Sequence, residues 1–153
     1  MDARQKKARY ERVAEQLKEL FGATEDEGAR LATAAALLHA KMDGFLWVGW
    51  YLLRGGELTL GPYQGPLACL VLKAHTGVCW AGLDRAESMI VPDVHAFPGH
   101  IACDSRARSE IVVPMRDRSG AVVGVLDVDS ERAAHFDDVD REGLEAIAAL
   151  VHA

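Results

Sequence analysis

Three cysteines, Cys69, Cys79 and Cys103, stand ten and twenty-four residues apart in a chain of 153 residues. A thiol can pack as a small hydrophobe, hold a metal or, as its thiolate, act as a nucleophile. Structural zinc sites favour close ligand pairs of the C-x₂-C kind. The spacing here is far wider, and none of the six histidines forms a knuckle with a cysteine, so no metal is expected. Cys103 lies in Gly99-His-Ile-Ala-Cys-Asp-Ser105, late in a stretch from Pro92 to Arg108 that has no sustained periodicity. That stretch reads as a long loop, and long loops in compact domains usually carry function. His100, Arg106 and Arg108 stand close enough in sequence to favour a thiolate; an exposed, idle thiol is the alternative. Cys69 sits in the apolar run Ala68-Cys-Leu-Val-Leu72, where core packing is the simpler reading. Cys79 follows Gly77-Val78 at the opening of a short helix, a place that lowers a thiol's pKa.

Three carboxylates are more telling. Glu110 opens Glu-Ile-Val-Val-Pro114, and Asp127 and Asp129 follow the apolar run Val122-Val-Gly-Val-Leu126. Side chains two apart on a strand share a face. Carboxylates buried there without partners are costly, and a shared pocket would raise at least one pKa. A carboxyl kept neutral in this way can donate a hydrogen bond to a substrate oxygen. The alternative is that this face reaches solvent at the strand end. Trp47 and Tyr51 are four apart on an earlier run and so face the same way, with Phe45. Core packing is the simpler reading for Phe45, whereas Trp47 and Tyr51 could wall a pocket for a small apolar group, their N–H and O–H wanting partners if buried.

The composition narrows the setting. Half the residues are hydrophobic, about a quarter are charged (26%) and the net charge is −6. A nucleic-acid partner is not expected, because such proteins cluster Lys and Arg. No run is long enough to span a bilayer and none near the start resembles a signal peptide, so a cytoplasmic protein is expected. The phosphate-binding patterns G-x-x-x-x-G-K-[ST] and G-x-G-x-x-G and the hydrolase pattern G-x-S-x-G are absent.

These residues need elements to hold them. Val13, Leu17 and Leu20 predict a first helix over about 3–20. Leu31, Ala34, Ala35 and Leu38 predict a second over about 25–40, with Thr24 as N-cap and Glu27 at the capping-box position. A hairpin follows: an aromatic and β-branched run over 44–53, a turn at Arg54-Gly55-Gly56, and a strand from Glu57. A strand over about 68–74, a helical turn from Gly77 and a short strand at Met89–Val91 precede the loop. Two strands over about 109–116 and 121–129 meet at Arg118-Ser119-Gly120. A last helix starts at Asp137, with Val139, Leu144, Ile147 and Val151 as its buried stripe. This order predicts an α+β fold, a central antiparallel sheet flanked by N- and C-terminal helices. No linker or repeat divides it, so one domain over residues 1–153 is expected.

Several strings resemble the free methionine-R-sulfoxide reductases, a stand-alone GAF-domain family. They are Gly61-Pro-Tyr-Gln-Gly65, Val91-Pro-Asp-Val-His-Ala-Phe-Pro-Gly-His-Ile-Ala-Cys-Asp104, Ser109-Glu-Ile-Val-Val-Pro114 and Gly124-Val-Leu-Asp-Val-Asp-Ser130. Cys69 and Gly77-Val-Cys79 stand in register with them, and the likeness runs from about 45 to 145. It implies a GAF-like fold and reduction of free methionine-R-sulfoxide. In that scheme Cys103 attacks the sulfoxide sulfur, Cys69 resolves the product as a disulfide, and Cys79 is a second recycling or resolving thiol. Glu110, Asp127 and Asp129 would bind and polarise the substrate, while Trp47 and Tyr51 hold its methyl-sulfoxide end. The resemblance further implies no bound cofactor, an external thioredoxin and NADPH system as reductant, and a homodimer. Trp80, directly after Cys79, departs from the family pattern, as does Leu72-Lys-Ala-His-Thr76. Two rival readings are a GAF sensor that binds a ligand without chemistry and a thiol switch acting on a partner protein.

Overall fold

A computed structural model describes residues 1–100 and 104–153. Helix α1 (Ala3–Phe21) begins in a capping box, where Asp2 accepts from the Gln5 backbone N–H at 2.8 Å and Gln5 Oε1 accepts from the Asp2 N–H at 2.9 Å. Its buried stripe is Tyr10, Val13, Leu17 and Phe21. Leu20, expected within the stripe, is exposed instead. Phe21 takes the inward place and lies 5.2 Å below the Arg30 guanidinium, a contact Leu cannot make.

Helix α2 (Glu27–Lys41) is capped by Asp26, not Thr24. A cap must reach the N–H three residues on, and Asp26 Oδ2 meets that of Ala29 at 2.8 Å, while Thr24 Oγ1 accepts only from Asp26 N–H. Arg30 then donates to the carbonyls of Phe21, Thr24 and Val151, tying the corner between α1 and α2 to the end of the chain.

The sheet holds β1 (Trp47–Arg54), β2 (Glu57–Gln64), β3 (Val71–Leu72), β4 (Met89–Val91), β5 (Ser109–Arg116) and β6 (Val122–Ser130). Its order is β3-β2-β1-β6-β5-β4 with every pair antiparallel. Gly55 and Gly56, with φ of 58° and 80°, close the first hairpin, a twist that L side chains resist. Alternation divides the sheet between two cores. On one face Val48, Trp50, Leu52, Ile111, Val113, Met115, Leu126 and Val128 pack against α1, α2 and α4 (Asp138–Leu150). On the other, Trp47, Tyr51, Val112 and Val125 pack against α3 (Gly77–Arg85), which carries Val78, Cys79 and Trp80.

Three further expectations change. The strand expected over 68–74 is only the pair Val71–Leu72, since β3 is an edge bonded to β2 alone and the chain before it folds back from Gly65. Phe45 precedes β1, escapes its alternation and joins the helix-side core, against Phe136 at 5.8 Å. Val139 is only half-buried in α4, and the buried residue beside it is Asp140, held by Tyr10 Oη at 2.6 Å and Lys6 Nζ at 2.8 Å. Among the described residues no helix is long and apolar enough to cross a membrane.

Candidate active site

The register of three strands assembles the site. Asp129 of β6 pairs with Trp47 of β1 on one side and Glu110 of β5 on the other. Two residues back, Asp127 pairs with Gly49 and Val112 on the same face. Four of these six positions are thus an indole and three acids, and a fifth is a glycine with no side chain at all. A Cβ built at Gly49 would collide with Tyr63 Cβ and the Trp47 ring. The missing side chain therefore lets Trp47 lie flat, stacked 5.4 Å from Tyr63 and 5.9 Å from Tyr51. The pocket so formed has a volume of about 80 Å³, room for a small organic molecule. Leu67, Ala68, the first turn of α3, His100 and Asp104 complete its walls.

Glu110, Asp127 and Cys79 are all buried, with one polar atom of each within 4.8 Å of the others. Asp129 keeps part of its surface open. Burial pushes the Glu110 carboxyl well above the usual carboxylate range, and the charges of Asp127 and Asp129 push it further. Asp129 is raised well up by desolvation and by Asp127, against a hydrogen bond to Glu110. Asp127 is raised less, because hydrogen bonds to Glu110 and Cys79 offset part of its desolvation. The trio therefore holds protons where isolated carboxylates would have lost theirs. Its spacing, with the thiol, would also admit a small cation, and this is the one such cluster among the described residues.

Cys79 reverses an expectation. A helix N-terminus lowers a thiol's pKa, yet burial and the facing carboxylates raise that of Cys79 well above its ordinary value. Desolvation and repulsion outweigh the dipole. Cys79 is a free thiol, whereas Cys69 is disulfide-bonded. Cys69 lies half-buried outside any strand, its carbonyl accepting from Tyr51 Oη at 2.9 Å. Cys103 lies outside the described residues. Of the cations expected to favour its thiolate, Arg106 is held by Asp104 through bonds of 3.1 and 3.0 Å, and the pKa of His100 is lowered by burial and by His95, which disfavours its cationic form.

Two buried polar atoms in the pocket have no partner among the described residues: Trp47 Nε1 and Asp127 Oδ1. One is a donor and the other an acceptor, and each is expensive to leave unmet. Tyr63 and Gly49 were not singled out from the sequence. Gly49 sits midway between Trp47 and Tyr51, so a missing side chain at the centre of an aromatic face was the available signal.

Residues 7–153 match the GAF domain family. The chain is 41% identical to the free methionine-R-sulfoxide reductase of Escherichia coli over 121 residues, covering 79% of this chain and 73% of that one. It is 44% identical to the enzyme of the same name from Saccharomyces cerevisiae over 109 residues, covering 69% of this chain and 61% of that one. The crystal structure of the free methionine-R-sulfoxide reductase of Neisseria meningitidis with its substrate superposes with a TM-score of 0.91 at 41% identity, covering 99% of this chain and 89% of that one. This chain belongs to the free methionine-R-sulfoxide reductase family of GAF-domain proteins.

Proposed function

We propose that the protein reduces free methionine-R-sulfoxide to methionine, with Cys103 as nucleophile and Cys69 as resolving thiol. The observation that carries this is a pair of buried polar atoms, Trp47 Nε1 and Asp127 Oδ1, without a partner among the described residues, in a pocket whose carboxyls are shifted toward their protonated forms. A zwitterionic amino acid bearing a sulfoxide offers both an ammonium for the acceptor and an oxygen for the donor. Trp47 and Tyr51 supply an apolar wall for the methyl group.

In this scheme the Cys103 thiolate attacks the sulfoxide sulfur while a carboxyl of the trio gives a proton to the sulfoxide oxygen. That oxygen passes to Cys103 as a sulfenic acid, and methionine leaves. The Cys69 thiol then displaces the oxygen as water, forming a disulfide before over-oxidation can occur. Thioredoxin returns the two electrons, drawn from NADPH, and restores both thiols. The net change is one sulfoxide and one dithiol converted to methionine, water and a disulfide. The disulfide-bonded state of Cys69 beside a free Cys79 supports this division of parts. The same reading carries a homodimer working in the cytoplasm, with no bound cofactor.

NADPH consumption in the presence of thioredoxin and its reductase tests the proposal. Turnover is expected with the R epimer, not with the S epimer, and is lost in Cys103→Ser. A ligand-binding sensor would give none with either.

A further inference from the structure

The resemblance implies a recycling part for Cys79. We propose instead that Cys79 is a positioning residue, whose thiol donates a hydrogen bond to Asp127 and fixes that carboxyl for the substrate without entering the redox cycle. The inference rests on the methionine-sulfoxide reading and refines its site.

The register supplies the reason. Asp127 is flanked on its own face by Gly49 and Val112, neither of which has a side-chain polar atom. Among the described residues, the buried Cys79 thiol and Glu110 carboxyl stand against it, one polar atom of each within 4.8 Å of one of its oxygens, close enough for both to hold it. With Oδ1 unpartnered among the described residues, an unheld Asp127 could turn that oxygen away from the pocket. Helix α3 delivers the thiol from its first turn, and Val78 and Trp80 bury the helix on either side of it.

The same geometry removes Cys79 from electron transfer. Its surface is 5% exposed, within a cluster of Trp47, Tyr51, Val112 and Val125, so an external dithiol has little access to it. Deprotonating it would place a bare charge in a buried site beside acids that are themselves hard to ionise there, and the surroundings hold it as the thiol. A protonated, enclosed thiol is a poor nucleophile and a serviceable donor.

Redox mapping of the full-length wild-type protein gives the first test. The enzyme is oxidised with free methionine-R-sulfoxide without reductant, unfolded in acid, alkylated and mapped by mass. Cys79 should carry the alkyl group at every time point; its appearance in a disulfide or as an oxidised acid overturns the proposal. Steady-state kinetics with thioredoxin give the second. Cys79→Ser keeps a donor and should hold kcat and KM within about threefold of wild type, whereas Cys79→Val, similar in size without a donor, should raise KM roughly tenfold. Equal loss of steady-state turnover in both, with the single-turnover yield of methionine intact, would mark a lost recycling thiol and sink the inference. Absence of turnover in the wild type with either epimer is a different result: it removes the reductase reading itself, and this refinement with it.

Discussion

Glu110 faces Asp129 across two hydrogen-bonded strands and lies against Asp127, so three acids compete for few protons in a place water reaches poorly. Their raised pKa values mean that the folded chain keeps protons the unfolded chain releases. The stability they contribute is complete in acid, below the unfolded carboxylate value of about 4, and is lost as pH rises through the raised native values. The melting temperature should therefore fall from about pH 5 to about pH 8, and less steeply in Glu110→Gln, which removes one titrating member. Thermal melts across that range check this; an unchanged slope would take Glu110 out of the coupled set. The same substitution should lower kcat on the order of a hundredfold, as expected for losing a positioned proton donor. Spacing was enough to place Asp127 and Asp129 on one face. It could not tell that Glu110 pairs with Asp129, because the register of the β5–β6 hairpin shifts at Met115/Arg116, nor that Cys79 is raised, because that depends on what α3 packs against.

At the scale of the strand, Gly49 decides the shape of the pocket. Gly49→Ala should destabilise by about 1–3 kcal/mol and weaken methionine-sulfoxide binding, since the Trp47 and Tyr63 rings have to part to admit the methyl. Denaturant melts and calorimetric titration read the two effects; wild-type affinity in the variant would show that the flat indole is dispensable. Strongly periodic elements were legible in advance: the β1–β2 hairpin from Arg54-Gly55-Gly56, and β5 and β6 from their apolar runs. The short edge β3 was not. Ala68-Cys-Leu-Val-Leu72 is an apolar string that reads as a strand, yet Leu70 and Val71 are exposed, because only Val71 and Leu72 pair with β2 and nothing covers the edge they form. Phe45 misled in the same way, two residues short of the strand whose alternation it seemed to share.

Across the whole molecule, the two cores are joined through a single sheet, one covered by α1, α2 and α4 and the other, with α3, holding the pocket. Tyr10 and Lys6 of α1 meet the buried Asp140 of α4, whose second oxygen also accepts from the Asp137 N–H, so the seam between first and last helices is a closed polar network. Tyr10→Phe should lower unfolding free energy by about 2 kcal/mol through loss of a bond to a charged acceptor, and leave kcat and KM unchanged. Denaturant titration beside the coupled assay checks both halves; altered kinetics would mean that the helix layer reaches the site. This network was invisible to helical periodicity, which asks only where apolar residues fall. One consequence follows from β6 serving both cores. From Val125 to Asp129 its odd positions turn to the pocket side and its even positions, Leu126 and Val128, to the helices. A single residue inserted or removed just inside the strand, near Val122, would exchange the two sets, sending Leu126 toward the indole and both aspartates into oil. Such a slip has no halfway state, so the enzyme would lose its catalyst and its scaffold in the same stroke.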